Sequence, residues 1–352
     1  MPRVWIDVLT PKQARLFAAL SRRLVGFEIL FTARDYDYTV ATLRRLGIDP
    51  IVAGGYGYSL REKVVEEARR IEALASVVEG CSMLLAYPNP SAARLAYGLA
   101  IPYIAFTDSP HSVHPSRLSL PLATAVVAPS CIPMREITRF TLPGTHVEMY
   151  RGVDEVEWLK LFKPSRASLK ELGLEERSYV VVRPPEVRAS YYGSRGSRVL
   201  SEVAKIVEWC LGEGLSVVYM PRYARDELQE RFSGSRGFTI VDRSRGVDGA
   251  DLTYHALAVV TGGGSMAREA ALLGTLGICL YPSRLYVDDF VEALGLPHAR
   301  ASSALQAIEL IKGFSRDPDR YRTIAREVTA TLEAPSDALL RVLEELGIGY
   351  GE

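Results

Sequence analysis

The sequence predicts an α/β protein with two parallel sheets, each doubly wound by helices on both faces. Three observations carry that prediction. Short β-rich apolar runs alternate with segments of helical period from the first residues onward, which is the pattern of βαβ units. The alternation comes in two series that share no visible internal repeat. Between them lies the charged, Pro-containing stretch GVDEVEWLKLFKPSRASLKELGLEER, the composition expected of an interdomain connection. At roughly 150 residues per domain, a chain of 352 residues accommodates two such units.

In order along the chain, Arg3–Val8 reads as the first strand, and Pro11 stands where the next helix can begin, a position that tolerates its missing N–H. Residues 27–32, 50–53, 82–86, Tyr103–Phe106 and 125–128 are further strand candidates. The clearest helix covers 60–79: Val64, Ala68, Ile71, Leu74 and Val78 form one apolar stripe, and Gly80 follows as a C′ residue. These elements make a first domain over 1–155, and 156–175 make the linker. The second series occupies 176–335. It starts with the all-apolar run at Tyr179 and continues with 216–220, 239–241, Ala258–Thr261 and 277–281. The segment 336–352 carries a last amphipathic helix over 336–346, with Leu339, Leu340, Leu343 and Leu346 on the face to be buried.

Composition narrows the function classes. The 42 Lys+Arg cancel the 42 Asp+Glu, so no global field recruits nucleic acid or an anionic membrane. With 48% hydrophobic and 24% charged residues the chain can bury a substantial core. No run reaches the ~18 apolar residues of a membrane span, and the first strand begins too close to Met1 for a signal core; the protein is expected in the cytoplasm, with peripheral membrane contact left open. Cys81, Cys131, Cys210 and Cys279 stand far apart with no regular spacing to His, and read as buried free thiols. Seven lysines against thirty-five arginines, with Asn89 the sole asparagine, fit a heat-adapted protein or a GC-rich genome.

The most informative segment is AVVTGGGSMAREAALLGT, residues 258–275, where a buried strand runs into three glycines and straight into a helix. Gly262, Gly263 and Gly264 let an anion approach the backbone, while the N–H groups of Ser265, Met266 and Ala267 and the positive end of the helix dipole face it. A diphosphate suits such a place. Met266, Ala270 and Leu273 fall on the face toward the sheet, and Glu269, one turn in, can accept both hydroxyls of a ribose. No G-K-[ST] follows and the dinucleotide G-x-G-x-x-G is absent, which argues against ATPase and dehydrogenase readings. The same glycines would also serve merely to seat a helix close to a sheet.

This segment resembles the nucleotide-sugar motif of the C-terminal domain of GT-B glycosyltransferases and of UDP-N-acetylglucosamine 2-epimerases. The linker, with its "GVD…F.P" pattern, is similar to the passage between their domains. More closely, VWIDVLTPKQARLF, TDSPH, VVRPPEVRASYY, YMPR and VTGGGSMAREAALLGT resemble an archaeal family of unknown function, the DUF354 group, over nearly the full length. The resemblance implies a GT-B-like fold of two Rossmann-like domains across a cleft, the donor nucleotide on the second domain and the acceptor on the first. It also implies that the last helix closes back on the first domain. The glycine turn and Glu269 would then hold diphosphate and ribose of a UDP-linked or similar sugar, a substrate rather than a resident cofactor.

Arg183 and Arg222 lie just past two predicted strands, at the carboxyl edge where α/β ligands bind, and suit diphosphate oxygens or an ion pair equally. In TDSPHSVH, Asp108, His111 and His114 follow the strand Tyr103–Phe106. His111 can take a proton from an acceptor hydroxyl while Asp108 orients it. The spacing also suits a metal pair, though no second cluster supplies the remaining ligands, or a structural turn. The family pattern has an acidic residue where this chain has Pro110. Lys12 could meet a leaving phosphate or be solvated, Gly54, Gly55 and Gly57 form a second flexible loop, and Tyr56 and Tyr58 could stack a sugar or cover the core. His146, His255 and His298 show no partner pattern and are read as structural. The leading expectation is a metal-independent glycosyltransferase; the alternatives are a 2-epimerase-like isomerase and a non-catalytic nucleotide-binding protein. The DRSRGVDG loop after Val241 carries no reader for a particular base, and neither acceptor nor oligomeric state is written in the sequence.

Overall fold

The computed structural model describes residues 1–57, 59–186 and 196–348. Tyr58 and the end of the VVRPPEVRASYY motif lie outside the described residues. The chain divides into two compact units, one formed by Met1–Trp158 with the chain from Leu332 onward, the other by Leu159–Thr331.

The first unit holds β1 (Arg3–Val8), β2 (Glu28–Ala33), β3 (Ile51–Val52), β4 (Met83–Ala86), β5 (Tyr103–Phe106), β6 (Ala125–Pro129) and β7 (His146–Tyr150). They form one seven-stranded sheet in the order β3-β2-β1-β4-β5-β6-β7. Every pairing is parallel. The order reverses between β1 and β4, and that point is where doubly wound sheets leave room for a ligand at their carboxyl ends. A parallel sheet covered on both faces needs strands that are apolar throughout, and β4, β5 and β6 are buried at every residue. The helix Pro335–Glu345 buries Ala338, Leu339, Val342 and Leu343 in the core of this sheet. Each fully buried Leu or Val there contributes about 1.5–3 kcal/mol. Its start is fixed twice: Asp337 accepts the N–H of Ala334 at 3.1 Å, and Glu157 accepts that of Ser336 at 2.8 Å.

The second unit holds β8 (Tyr179–Arg183), β9 (Ser216–Tyr219), β10 (Phe238–Ile240), β11 (Ala258–Thr261), β12 (Leu276–Cys279) and β13 (His298–Arg300). The order is β10-β9-β8-β11-β12-β13, again all parallel, with the reversal between β8 and β11. Helices close on the sheet tightly. A Cβ on Gly277 of β12 would stand 2.0 Å from the Ala267 carbonyl oxygen of the helix Ser265–Leu272, so only glycine fits.

Several local expectations are corrected. β7 and β13 carried no strand signal; both are edge strands, and the residues HVEMY and HAR are polar enough to look like loop. The helix Leu60–Val78 does begin and end as read, with Ser59 and Glu62 forming a capping box and Gly80 at φ 78°. Its buried face differs, however: Val64 is 67% exposed, and the buried residues are Arg70, Leu74 and Val78. Arg70 goes inward because its guanidinium meets the buried Asp7 carboxylate and the carbonyls of Ala33 and Ala53. On the helix Ser265–Leu272 the residue laid against the sheet at Gly277 is Ala267, while Met266 and Leu273 are only half-buried.

Candidate functional site

At the reversal point of the second sheet, Arg183 ends β8 opposite Thr261 of β11. The chain then makes its glycine turn. The N–H of Gly262 donates to the Arg183 carbonyl at 3.0 Å and that of Gly263 to Thr261 Oγ1 at 3.1 Å, which fixes the turn against the strand ends. None of Gly262, Gly263 and Gly264 has a positive φ, so glycine is required here for space rather than for backbone conformation.

The three positions differ in what occupies that space. A Cβ on Gly262 would lie 2.3 Å from Pro185 Cα. One on Gly264 would lie 2.3 Å from Arg268 Nη1 and 2.6 Å from Asp288 Oδ1. A Cβ on Gly263 would have Arg222 Nη2 as its nearest atom, at 3.7 Å. Two of the glycines are therefore set by the protein's own packing, and of the three only Gly263 has room for a Cβ.

The helix Ser265–Leu272 starts from Gly264 with no side-chain cap. Among the described residues, nothing accepts the N–H groups of Gly264, Ser265, Met266 and Ala267. Gly263, Ser265 and Met266 are half-buried and reachable. Arg222, past the end of β9, is braced by its Nε on the Pro184 carbonyl at 2.7 Å, with the guanidinium held near Gly263. Arg183 is buried at the same edge. The nearby carboxylate of Asp288 pairs with Arg268 at 2.7 Å, both buried, so its charge is matched within the protein. The edge thus presents free amides, a helix dipole and two guanidinium side chains, an environment for an anion. Glu269 lies one turn into the helix and is 2% exposed.

At the carboxyl edge of the first sheet a second constellation forms around Lys12, near the start of the helix Pro11–Leu20. Its Nζ stands 2.5 Å from Asp108 Oδ2 and 2.5 Å from Asp154 Oδ2, and donates to the Tyr87 hydroxyl at 3.2 Å. Lys12 is therefore not a solvated first-turn lysine: its side chain is 15% exposed, and Asp108 and Asp154 are at 6% and 2%. Sequence alone hid this, because Asp154 stands far along the chain in the linker motif. The Tyr150 hydroxyl donates to Asp154. Burial, with Asp108, Glu155, Cys131 and Glu157 around it, pushes the Tyr150 hydroxyl well above its ordinary pKa, so it stays a donor at any working pH.

Asp108 also accepts from Ser109 Oγ at 2.7 Å, and the Pro110 carbonyl accepts from Arg139 at 3.0 Å, which pins the TDSPH turn. His111 is half-buried in that turn and His114 is exposed on the helix Val113–Ser119. The loop of Gly54, Gly55 and Gly57 is laid against the helix Leu60–Val78. Gly55 N–H donates to Glu66 at 2.9 Å, and a Cβ on Gly57 would meet Lys63 N at 2.6 Å. Tyr56 stacks on Tyr36 with ring centroids 4.2 Å apart. The histidines read as patternless have carboxylate neighbours: His146 with Glu148 and Glu345, His255 with Asp251 and Glu176, His298 with Asp288 and Glu292. Cys81, Cys210 and Cys279 are buried free thiols, while Cys131 is half-buried.

Comparison with known proteins places this fold. The chain is similar to the S. aureus MnaA–UDP co-structure, with a TM-score of 0.71 at 13% identity, covering 100% of this chain and 99% of that one. It is similar to the Methanocaldococcus jannaschii UDP-GlcNAc 2-epimerase in complex with UDP-GlcNAc and UDP, with a TM-score of 0.70 at 12% identity, covering 99% and 100%. A glycotransferase of kitacinnamycin aligns with a TM-score of 0.54 at 13% identity, covering 98% and 100%. At these identities the likeness is one of fold, that of GT-B enzymes. An uncharacterized protein of M. jannaschii is 25% identical over 301 residues, which is 82% of this chain and 84% of that protein. The family model described as protein of unknown function (DUF354) matches residues 2–300.

Proposed function

We propose that this chain, which belongs to the family described as protein of unknown function DUF354, is a glycosyltransferase that holds a nucleotide-diphosphate sugar at the carboxyl edge of its second sheet. The observation that carries the reading is the room for a Cβ at Gly263, in ordinary contact with the Arg222 guanidinium and beside an uncapped helix N-terminus. A diphosphate in that space accepts from the amides of Gly264, Ser265 and Met266. Arg222 and Arg183 meet its remaining oxygens, and Glu269 takes the ribose hydroxyls. These groups stabilise the charge that develops on the leaving diphosphate, and they do so preorganised, without a reorganisation cost during the reaction.

The acceptor side falls to the first unit. Lys12 pairs with Asp108 and fixes it in place, and His111, three residues on, is the general base for an acceptor hydroxyl. The fold neighbours that bind UDP and UDP-GlcNAc support a UDP-linked donor. A second reading, an isomerase of the 2-epimerase type, is favoured by the two carboxylates, Asp108 and Asp154, around one ammonium, because such a reaction must remove and return a proton.

Incubation with UDP- and GDP-sugars separates these readings. Free UDP or GDP accumulating only when an acceptor is added supports transfer, and interconversion of the sugar without net release supports the isomerase. Saturable binding without turnover removes both and leaves a nucleotide-binding protein. No binding of any nucleotide sugar defeats the site assignment itself.

A further inference from the structure

Arg34 directly follows β2 at the carboxyl edge of the first sheet, and its N–H donates to the Val8 carbonyl at the end of β1 at 3.1 Å. Its side chain is half-buried. The guanidinium lies 5.1 Å from the centroid of Tyr36 and 5.2 Å from that of Tyr56, the two rings being stacked on one another. Among the described residues it makes no ion pair and no side-chain hydrogen bond, and its Nε is buried without an acceptor.

This is an unusual state for an arginine, because a buried donor left unmade carries the full desolvation penalty. The neighbouring carboxylates do not relieve it. Asp7 is taken up by Arg70, Thr32 and Asn89. Glu66 accepts from Gly55 N–H at 2.9 Å and pairs with Arg69 at 2.7 Å. Glu67 feels the Arg34 charge yet forms no ion pair with it. Burial first, and then the like charge of Arg70 nearby, lower the Arg34 pKa from its ordinary value. Lys63 is also near, with Nζ 5.0 Å from the centroid of Tyr56.

We propose that Arg34 is an oxyanion-binding residue: its guanidinium, steadied over the Tyr36–Tyr56 stack, receives the phosphate or carboxylate of a molecule bound at the carboxyl edge of the first sheet. A planar guanidinium suits both groups, since each offers two oxygens to its parallel N–H pair. The aromatic stack fixes the plane of the fork and limits the freedom lost on binding. That the molecule is the sugar acceptor, and hence an acidic one, rests on the transferase reading given above.

Methylglyoxal modification of the full chain, read by peptide mapping at constant ionic strength, tests this with methyl phosphate, acetate and neutral glucose as probes. Saturable protection of Arg34 by methyl phosphate or acetate, slowing its modification about tenfold while exposed Arg22 and Arg23 are unchanged, is the expected result. Protection by methyl phosphate alone assigns a phosphate-bearing ligand, and by acetate alone a carboxylate. Equal protection of Arg22 and Arg23, protection by glucose, no protection by either anion, or an Arg34 that no reagent reaches would each overturn the proposal. In the same digests, protection of Arg183 and Arg222 by UDP reports on the donor site. Loss of that signal with Arg34 still protected defeats the transferase reading and leaves the anion site standing.

Discussion

The glycine turn separates packing from ligand chemistry, because its three positions make different demands. Changing Gly263→Ala adds one methyl where the nearest atom is Arg222 Nη2 at 3.7 Å, an ordinary contact. The φ is not positive, so the new residue is unstrained, and the reduced freedom of the unfolded chain favours the variant by a few tenths of a kcal/mol. Stability should therefore change by no more than about 0.5 kcal/mol. The methyl instead fills the space assigned to the diphosphate. Losing even one charge-assisted hydrogen bond, worth about 1.5–3 kcal/mol, weakens UDP binding by roughly tenfold to a hundredfold. Gly262→Ala behaves in the opposite way. Its methyl would lie 2.3 Å from Pro185 Cα, a backbone atom that cannot step aside, and the strain of such overpacking costs about 1–3 kcal/mol. Urea unfolding and calorimetric titration with UDP on both variants are the assay. A Gly263→Ala protein that binds UDP as tightly as the parent would refute the assignment of that space, whatever its stability.

Three further outcomes follow from the charged and buried groups. Lys12→Met leaves Asp108 and Asp154 facing one another without their shared cation, and chemical denaturation should show a loss of about 3 kcal/mol, as for other broken buried pairs; an unchanged midpoint would mean the ammonium does not hold them. Burial is the largest cause of the raised Glu157 pKa, so the folded state disfavours its charged form: the stability of the parent relative to Glu157→Gln should be greatest below the ordinary glutamate range and fall as pH rises toward the folded value. A stability difference that is flat or rises with pH contradicts that sign. Finally, burial pushes the Cys210 thiol up to about 12, whereas Cys131 is only half-buried, so iodoacetamide on the native protein should label Cys131 before the other three.

The fold was legible where burial and apolarity coincide. β1, β5 and β11 are found at the residues the apolar runs mark, since an interior strand of a covered parallel sheet must be apolar on both faces. The signal fails at the sheet edges. β7 keeps Glu148, which pairs with Arg341 at 2.6 Å, and β13 ends in Arg300; a strand with one neighbour can carry charge. It fails again at Arg70, where a periodicity count assigns the buried face to Val64 although a charged side chain with a buried carboxylate partner takes the inward place. Asp108 was visible as a residue after a strand, but Lys12 and Asp154 become its partners only through the order of strands β1, β5 and β7 in the sheet. No local pattern encodes that order, and the same holds for the Arg34–Tyr36–Tyr56 cluster, which joins the ends of β2 and β3.

The two reversal points share one kind of topology, but the helices Pro11–Leu20 and Ser265–Leu272 beside them begin differently. In the first unit Thr10 caps the helix Pro11–Leu20 by accepting from Gln13 N–H at 3.4 Å, and Gln13 Oε1 in turn accepts from Leu9 N–H at 2.7 Å. Pro11 removes one more donor. That terminus is satisfied from within, and the charge beside it is an ammonium already matched by two carboxylates. In the second unit the helix Ser265–Leu272 has no side-chain cap, nothing among the described residues accepts its first amides, and Arg222 at its mouth donates through Nε to the Pro184 carbonyl. A diphosphate therefore meets unaccepted helix amides at the second edge, whereas the helix beside the first edge is capped and that edge offers an ammonium matched by two carboxylates and one arginine held on aromatic rings. If the donor sat on the first unit instead, Lys12→Met would weaken UDP binding and Gly263→Ala would not; the opposite pairing of effects is what this division of the two edges requires.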